Sequence, residues 1–135
     1  MAVGIIFKNG ECLNALDYYC TVFGLEKPDN IIKYSDFKKF NHPENIKNRV
    51  YITYLEIYGN TIYLQDTTID ENLHQGNNVK IVIDTSSDNL YRAYMNFRKD
   101  SNVTMEPQRV NNKLLTTLID KYDIIWQFIA ELPNK

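Results

Sequence analysis

Apolar residues follow two rhythms along this chain. Leu16, Tyr19, Cys20 and Phe23 stand at i, i+3, i+4 and i+7, which draws one stripe down a helix over about 13–23. Gly24 follows the stripe, where a helix end favours a residue that enters the left-handed region cheaply. Leu90, Ala93, Tyr94 and Phe97 repeat that spacing behind Thr85, Ser86, Ser87 and Asp88, which offer N-caps, and predict a second helix ending near Asp100. Between the helices the pattern is that of strands, at 2–8, 31–34, 49–58, 61–66 and 78–83, and after the second helix at 103–105, 113–119 and 124–130. Gly59 and Asn60 form a tight-turn pair between two of them. Residues 36–48 are polar, contain Pro43, and read as a loop.

The element order is β-α-β-β-β, written twice. Tyr54-Leu55-Glu56-Ile57, a turn and Ile62-Tyr63-Leu64-Gln65 parallel Thr117-Leu118-Ile119, a turn and Ile125-Trp126-Gln127-Phe128. The expected architecture is α+β: two βαβββ modules forming a cupped mixed sheet, with the helices packed on its outside. The expected organisation is a single domain over 1–135, with a first module over about 1–66, an acidic and polar linker over about 67–77, and a second module over about 78–135. An unrelated α+β sandwich with accidental symmetry ranks below this.

Composition narrows the setting. The 135 residues, 44% of them hydrophobic, suffice for a real core, and no apolar run reaches membrane-spanning length. The N-terminus lacks a basic leader and its apolar run stops at Lys8, so a cytoplasmic protein without a membrane partner is expected. Net charge is −2 and the basic residues are scattered, as in Lys38-Lys39, Lys47 with Arg49, and Arg98-Lys99, so nucleic acid is not an expected partner. Cys12 and Cys20 are too far apart to meet within one straight helix and read as reduced thiols, Cys20 as a core filler.

The stretch Ala15-Leu16-Asp17-Tyr18-Tyr19-Cys20-Thr21-Val22-Phe23-Gly24 resembles a helix of the vicinal oxygen chelate superfamily. That group includes glyoxalase I, bleomycin-resistance proteins and extradiol dioxygenases. Near the end, Ile119-Asp120-Lys121-Tyr122-Asp123-Ile124-Ile125-Trp126 is similar to the group's Asp-Pro-x-Gly turn and following strand, with Asp123 where the family has Gly. The PhnB-like branch is the nearest match, and the resemblance runs along essentially the whole chain. It implies paired βαβββ modules, commonly a homodimer, and a divalent metal held by His, Gln or Glu inside a cup. Carried over residue by residue, the metal positions fall near Ala2 or Gly4, on Tyr63, near Asn78, on Gln127 and, for a third-strand histidine, near Ile52. Only Gln127, and weakly Asn78, bring a donor atom, so no metal and no cofactor are expected. His42 and His74 lie in predicted loops.

Strand alternation places Leu55, Ile57, Ile62 and Leu64 under the helices and leaves Ile52, Tyr54, Glu56, Tyr63 and Gln65 facing the cup. On the last strand Trp126 and Phe128 go under the helix and Gln127 faces the cup. An aromatic lining with a few polar tips suits a small organic ligand with some flat surface, whereas the same tyrosines in a closed core or a dimer seam would bind nothing. Glu56 is the one carboxylate on that lining; in apolar surroundings its pKa would rise and it could serve as a base. The functional expectation is a metal-free small-molecule-binding protein of the glyoxalase/bleomycin-resistance type, as a homodimer. The alternatives are a metal-dependent lyase, isomerase or dioxygenase of the same superfamily, and a dimer with no ligand. No catalytic residue is identified.

Overall fold

The structure is a computed structural model that describes residues 1–39 and 41–133; Phe40, Asn134 and Lys135 lie outside the described residues. Two compact units divide the chain, Met1–Gln75 and Gly76–Lys135. The first contains β1 (Val3–Phe7), α1 (Cys12–Phe23), β2 (Ile32–Lys33), β3 (Val50–Ile57) and β4 (Asn60–Asp66). The second contains β5 (Ile81–Asp84), α2 (Ser87–Phe97), β6 (Asn102–Val110), β7 (Lys113–Ile119) and β8 (Ile125–Glu131). Each unit is a βαβββ module with a four-stranded mixed sheet, and the two strand orders are the same, β1-β4-β3-β2 and β5-β8-β7-β6. In each, the first strand runs parallel to the last and the remaining pairs are antiparallel. The repeat read from the sequence is thus a repeat of topology.

In the first unit the stripe of α1 buries Leu16, Tyr19, Cys20 and Phe23, and the helix lies against β3 and β4. Ile5, Phe7, Leu55, Ile57, Ile62 and Leu64 are buried with it, each contributing on the order of 1.5–3 kcal/mol of apolar burial. Gly24 ends the helix at φ 67°, the left-handed position expected of it. The β3–β4 turn sits one residue earlier than the sequence reading. Tyr58 and Gly59 are its central residues, both with positive φ, while Asn60 already pairs with Ile57. Tyr58 accepts this strained backbone with its ring edge-to-face on Phe23 at 5.5 Å.

In the second unit Ser86 caps α2 by accepting from the Asn89 N–H at 3.2 Å. Leu90, Ala93, Tyr94 and Phe97 are buried, together with Trp126 and Phe128, whose rings are parallel within 3° at 6.0 Å. Two boundaries differ from the pattern. β5 starts at Ile81, so Asn78 precedes it. β6 continues through Pro107 to Val110, with register shifts between Val103 and Met105 and between Met105 and Gln108. An edge strand tolerates the missing proline N–H, and the irregular register falls around it.

A buried aspartate fixes each unit. Asp66 closes β4 and accepts from the backbone N–H of Cys12 at 3.0 Å and of Val50 at 2.9 Å, tying α1, β3 and β4 together. Burial pushes its carboxyl pKa up, and the two N–H donors and Arg49 pull the other way. Asp120 accepts from the N–H of Tyr122 and Ile124 at 2.8 and 3.1 Å, and from the Trp126 indole at 2.9 Å. Asp123, in the same turn, takes φ 62°, a left-handed conformation that Asp tolerates better than most residues.

Candidate functional site

The first sheet has a helix-covered face and an accessible one. β3 alternates from Thr53 onward, with Thr53, Leu55 and Ile57 buried and Tyr54 and Glu56 exposed. β4 alternates in phase, with Ile62, Leu64 and Asp66 buried and Thr61, Tyr63 and Gln65 half-buried. Ladder register then fixes the neighbours: Tyr54 faces Tyr63 and Glu56 faces Thr61 across β3–β4, while Gly4 faces Tyr63 and Ile6 faces Gln65 across β1–β4. Ile52, half-buried, continues the row toward β2.

Five of the six residues proposed from the sequence, Ile52, Tyr54, Glu56, Tyr63 and Gln65, therefore share one face of one sheet. The Tyr54 and Tyr63 rings meet at 5.7 Å with planes tilted by 56°. Glu56 Oε1 accepts from Thr61 Oγ1 at 2.7 Å. Gly4 lets the sheet stay open beside Tyr63, since a Cβ there would meet only the Tyr63 Cβ, at 4.0 Å. Gly4, Ile6 and Thr61 belong to this face and were not among the residues picked from sequence. Strand alternation in β1 carries the signal that finds Gly4 and Ile6, and alternation in β4 the signal that finds Thr61.

Gln127 lies in the second unit, on the face of that sheet away from α2. It is half-buried, and its ladder partners are Val82 on β5 and Thr117 on β7. This face is aliphatic around Gln127 and Thr117, where Val82 is exposed and Leu115, Ile119, Ile125 and Ile129 are half-buried, and charged at one end, where Asp84 and the Lys113–Glu131 pair are exposed. The two faces correspond through the repeat. Gly4 pairs with Tyr63 in the first unit as Val82 pairs with Gln127 in the second.

Neither a family model nor a curated protein matches the sequence. Solved structures do. The PhnB protein of Bacillus cereus shares 14% identity, with 96% of this chain and 98% of that one covered and a TM-score of 0.69. Protein PA1353 of Pseudomonas aeruginosa shares 14% identity over 98% and 99% of the two chains, with a TM-score of 0.76. The fosfomycin resistance protein FosX of Listeria monocytogenes shares 12% identity over 96% and 90%, with a TM-score of 0.61.

The fold is the vicinal oxygen chelate fold.

In a vicinal oxygen chelate domain the first and last strands of each module are where the sequence comparison placed metal ligands. Here those strands present Gly4 and Tyr63 in one unit and Val82 and Gln127 in the other. Asn78 lies before β5, and Val82 is the β5 residue opposite Gln127. Within either unit, no three described His, Cys, Asp or Glu side chains group so as to hold a metal ion. The first accessible face supplies one carboxylate bonded to Thr61, two phenols and an amide, and the second supplies Gln127, Asp84 and a Glu131 paired with Lys113; neither set brings three such ligands together, which does not fit a hard or borderline divalent metal.

The thiols are equally remote from chemistry. Cys12 and Cys20 are buried and free, and burial, then Asp66, raises the Cys12 pKa far above the thiol range. No helix of the described chain is long and apolar enough to cross a membrane.

Proposed function

We propose that this chain is a small-molecule-binding protein of the vicinal oxygen chelate type that holds a flat organic ligand without a divalent metal. One observation carries the reading. The accessible face of the first sheet bears a tyrosine pair, Tyr54 and Tyr63, with the Glu56 carboxylate one ladder step away. Ring faces and edges offer stacking and apolar burial to a planar ligand, and a carboxylate beside them favours a ligand with positive charge. Ile52 and Gln65 extend the wall, and Gln127 is proposed as a ligand-facing residue of the second sheet. The assembly proposed is a homodimer. Each sheet ends in edge strands, and edges are normally covered.

A metal-dependent lyase, isomerase or dioxygenase is the rival. FosX, which has this fold, is solved with Mn(II) and 1S,2S-dihydroxypropylphosphonic acid. Elemental analysis of gently purified protein separates the two, because the proposal expects no stoichiometric zinc, nickel, manganese or iron. The same preparation, treated with chelator, enters a thermal-shift screen of small aromatic and cationic compounds. A compound that raises the melting temperature of chelated protein supports metal-free binding. One metal per chain, or stabilisation that appears only on adding metal, overturns it.

A further inference from the structure

A second aromatic cluster lies at the β2–β3 edge of the first unit, around a half-open pocket. Tyr34, Phe37, Lys39, His42 and Tyr51 line a space of about 240 Å³. The rings are set edge-to-face: Tyr34 and Tyr51 at 5.6 Å and 83°, Phe37 and Tyr51 at 4.8 Å and 83°, and Tyr34 and His42 at 5.5 Å and 71°.

Its construction follows from local backbone. The register of β2 on β3 steps from Ile32–Ile52 to Lys33–Val50, so Tyr51 is the extra residue of a β-bulge. A bulge redirects the side chains beside it, and Tyr51 is 41% exposed where strict alternation with buried Thr53 would cover it. After β2 the chain turns through a 3₁₀ segment, Tyr34–Asp36, fastened when Asp36 accepts from the Lys33 N–H at 2.8 Å. Tyr34 is anchored by donating its hydroxyl to the Asp66 carbonyl at 2.9 Å and its N–H to the Arg49 carbonyl at 3.1 Å. Burial, and next Asp66, push the Tyr34 pKa up, which keeps that hydroxyl a donor. One wall of the pocket is therefore fixed to the sheet.

The charge of the lining is one-sided. Among the described residues that line it, Lys39 carries the formal charge and none is Asp or Glu, and Lys38 adjoins in sequence. We propose that this pocket is a second binding site, distinct from the Tyr54–Tyr63 face, for a small planar aromatic anion: one ring bearing a carboxylate or a phosphate. The ring fills the space between Tyr34, Phe37 and Tyr51, and the anionic group reaches the Lys39 ammonium. A volume of about 240 Å³ lies below the range of drug-sized pockets and suits a one-ring compound.

Isothermal titration calorimetry on the full chain tests this with benzoate, phenyl phosphate, cyclohexanecarboxylate and benzylammonium. Benzoate or phenyl phosphate should bind saturably, and whichever is tighter assigns the anionic group. Benzylammonium, of opposite charge, and cyclohexanecarboxylate, without the flat ring, should each bind about tenfold more weakly or worse. Lys39→Gln, a surface change, should weaken the preferred anion by roughly fivefold or more. Tyr51→Ala should abolish binding, and Tyr54→Ala should leave it unchanged. If Tyr51→Ala lowers the melting temperature, Lys39→Gln alone decides. The proposal is overturned if neither anion binds by about 10 mM, a ceiling set by the weakest useful affinities. It is equally overturned if benzylammonium binds as well as benzoate, if Lys39→Gln keeps full affinity, or if Tyr54→Ala removes binding. Loss of ligand at the Tyr54–Tyr63 face, with the anion still bound, leaves this site standing on its own.

Discussion

The two modules share a topology and both bury aromatic rings against a helix, but they differ in what stands on the accessible face of the sheet. In the second, Trp126, Phe128 and Phe97 are fully buried with α2, and the face away from the helix is aliphatic around Gln127. In the first, Phe7, Tyr19 and Phe23 are buried on the helix side, and a further ring pair, Tyr54 and Tyr63, stands on the accessible face. The buried aspartates differ likewise. The Asp120 carboxylate receives the indole N–H of the aromatic core, whereas the Asp66 carboxylate receives the backbone N–H groups of Cys12 and Val50. A repeated fold can thus keep a helix-side core in both copies and leave one copy's sheet available for recognition.

Trp126→Ala breaks the comparison most severely. It removes a fully buried ring stacked on Phe128 and strands the Asp120 carboxylate, so a loss of about 3–5 kcal/mol is expected in urea unfolding. Asp120→Ala comes next. It leaves two backbone N–H groups and an indole N–H without their acceptor, for about 2–3 kcal/mol by the same measurement.

Asp70→Asn sharpens the comparison through pH. Arg49 donates to both Asp70 carboxylate oxygens, at 2.7 and 3.0 Å, and this pair, before the Asn9 N–H bond, holds the Asp70 pKa below its ordinary 3.8. A depressed carboxyl pKa stabilises the fold above the unfolded value and loses that stabilisation as pH falls through the folded one. Unfolding of Asp70→Asn against wild type should therefore show a deficit at pH 7 that shrinks below pH 3.8. Asp66 has the reverse sense. Its raised pKa favours the protonated fold, a contribution present below 3.8 and lost as pH rises through the folded value. Asp66→Asn, neutral at every pH like the protonated acid, should then differ least from wild type in acid and gain on it as pH rises through the folded value.

Much of the fold was legible because burial enforces period. Lys113–Ile119 coincides with its strand, and Leu16, Tyr19, Cys20 and Phe23 are all buried as their spacing requires. The same period put Ile52, Tyr54, Glu56, Tyr63 and Gln65 on one face. What alternation could not convey is structure without a period. The Tyr51 bulge, the Tyr34–Asp36 turn and the passage of β6 through Pro107 each depend on pairing partners distant in sequence. The aromatic pocket was hidden for that reason, since Tyr34, Phe37, His42 and Tyr51 are gathered by a bulge and a loop. Asp66 and Asp120 read as a strand end and a turn residue, and their burial follows from which N–H groups converge on them.

Paired measurements on Tyr63→Ala and Trp126→Ala test the division between modules most directly. Each variant is unfolded in urea and titrated with a compound that stabilises the wild type in the thermal-shift screen. Tyr63 is only half-buried, so Tyr63→Ala should cost the fold about 1 kcal/mol or less while costing binding about 1–3 kcal/mol. Trp126→Ala should show the opposite ranking, with the fold lost first. Equal destabilisation by the two would make Tyr63 a core residue and would contradict the assignment of the first module's sheet to ligand recognition.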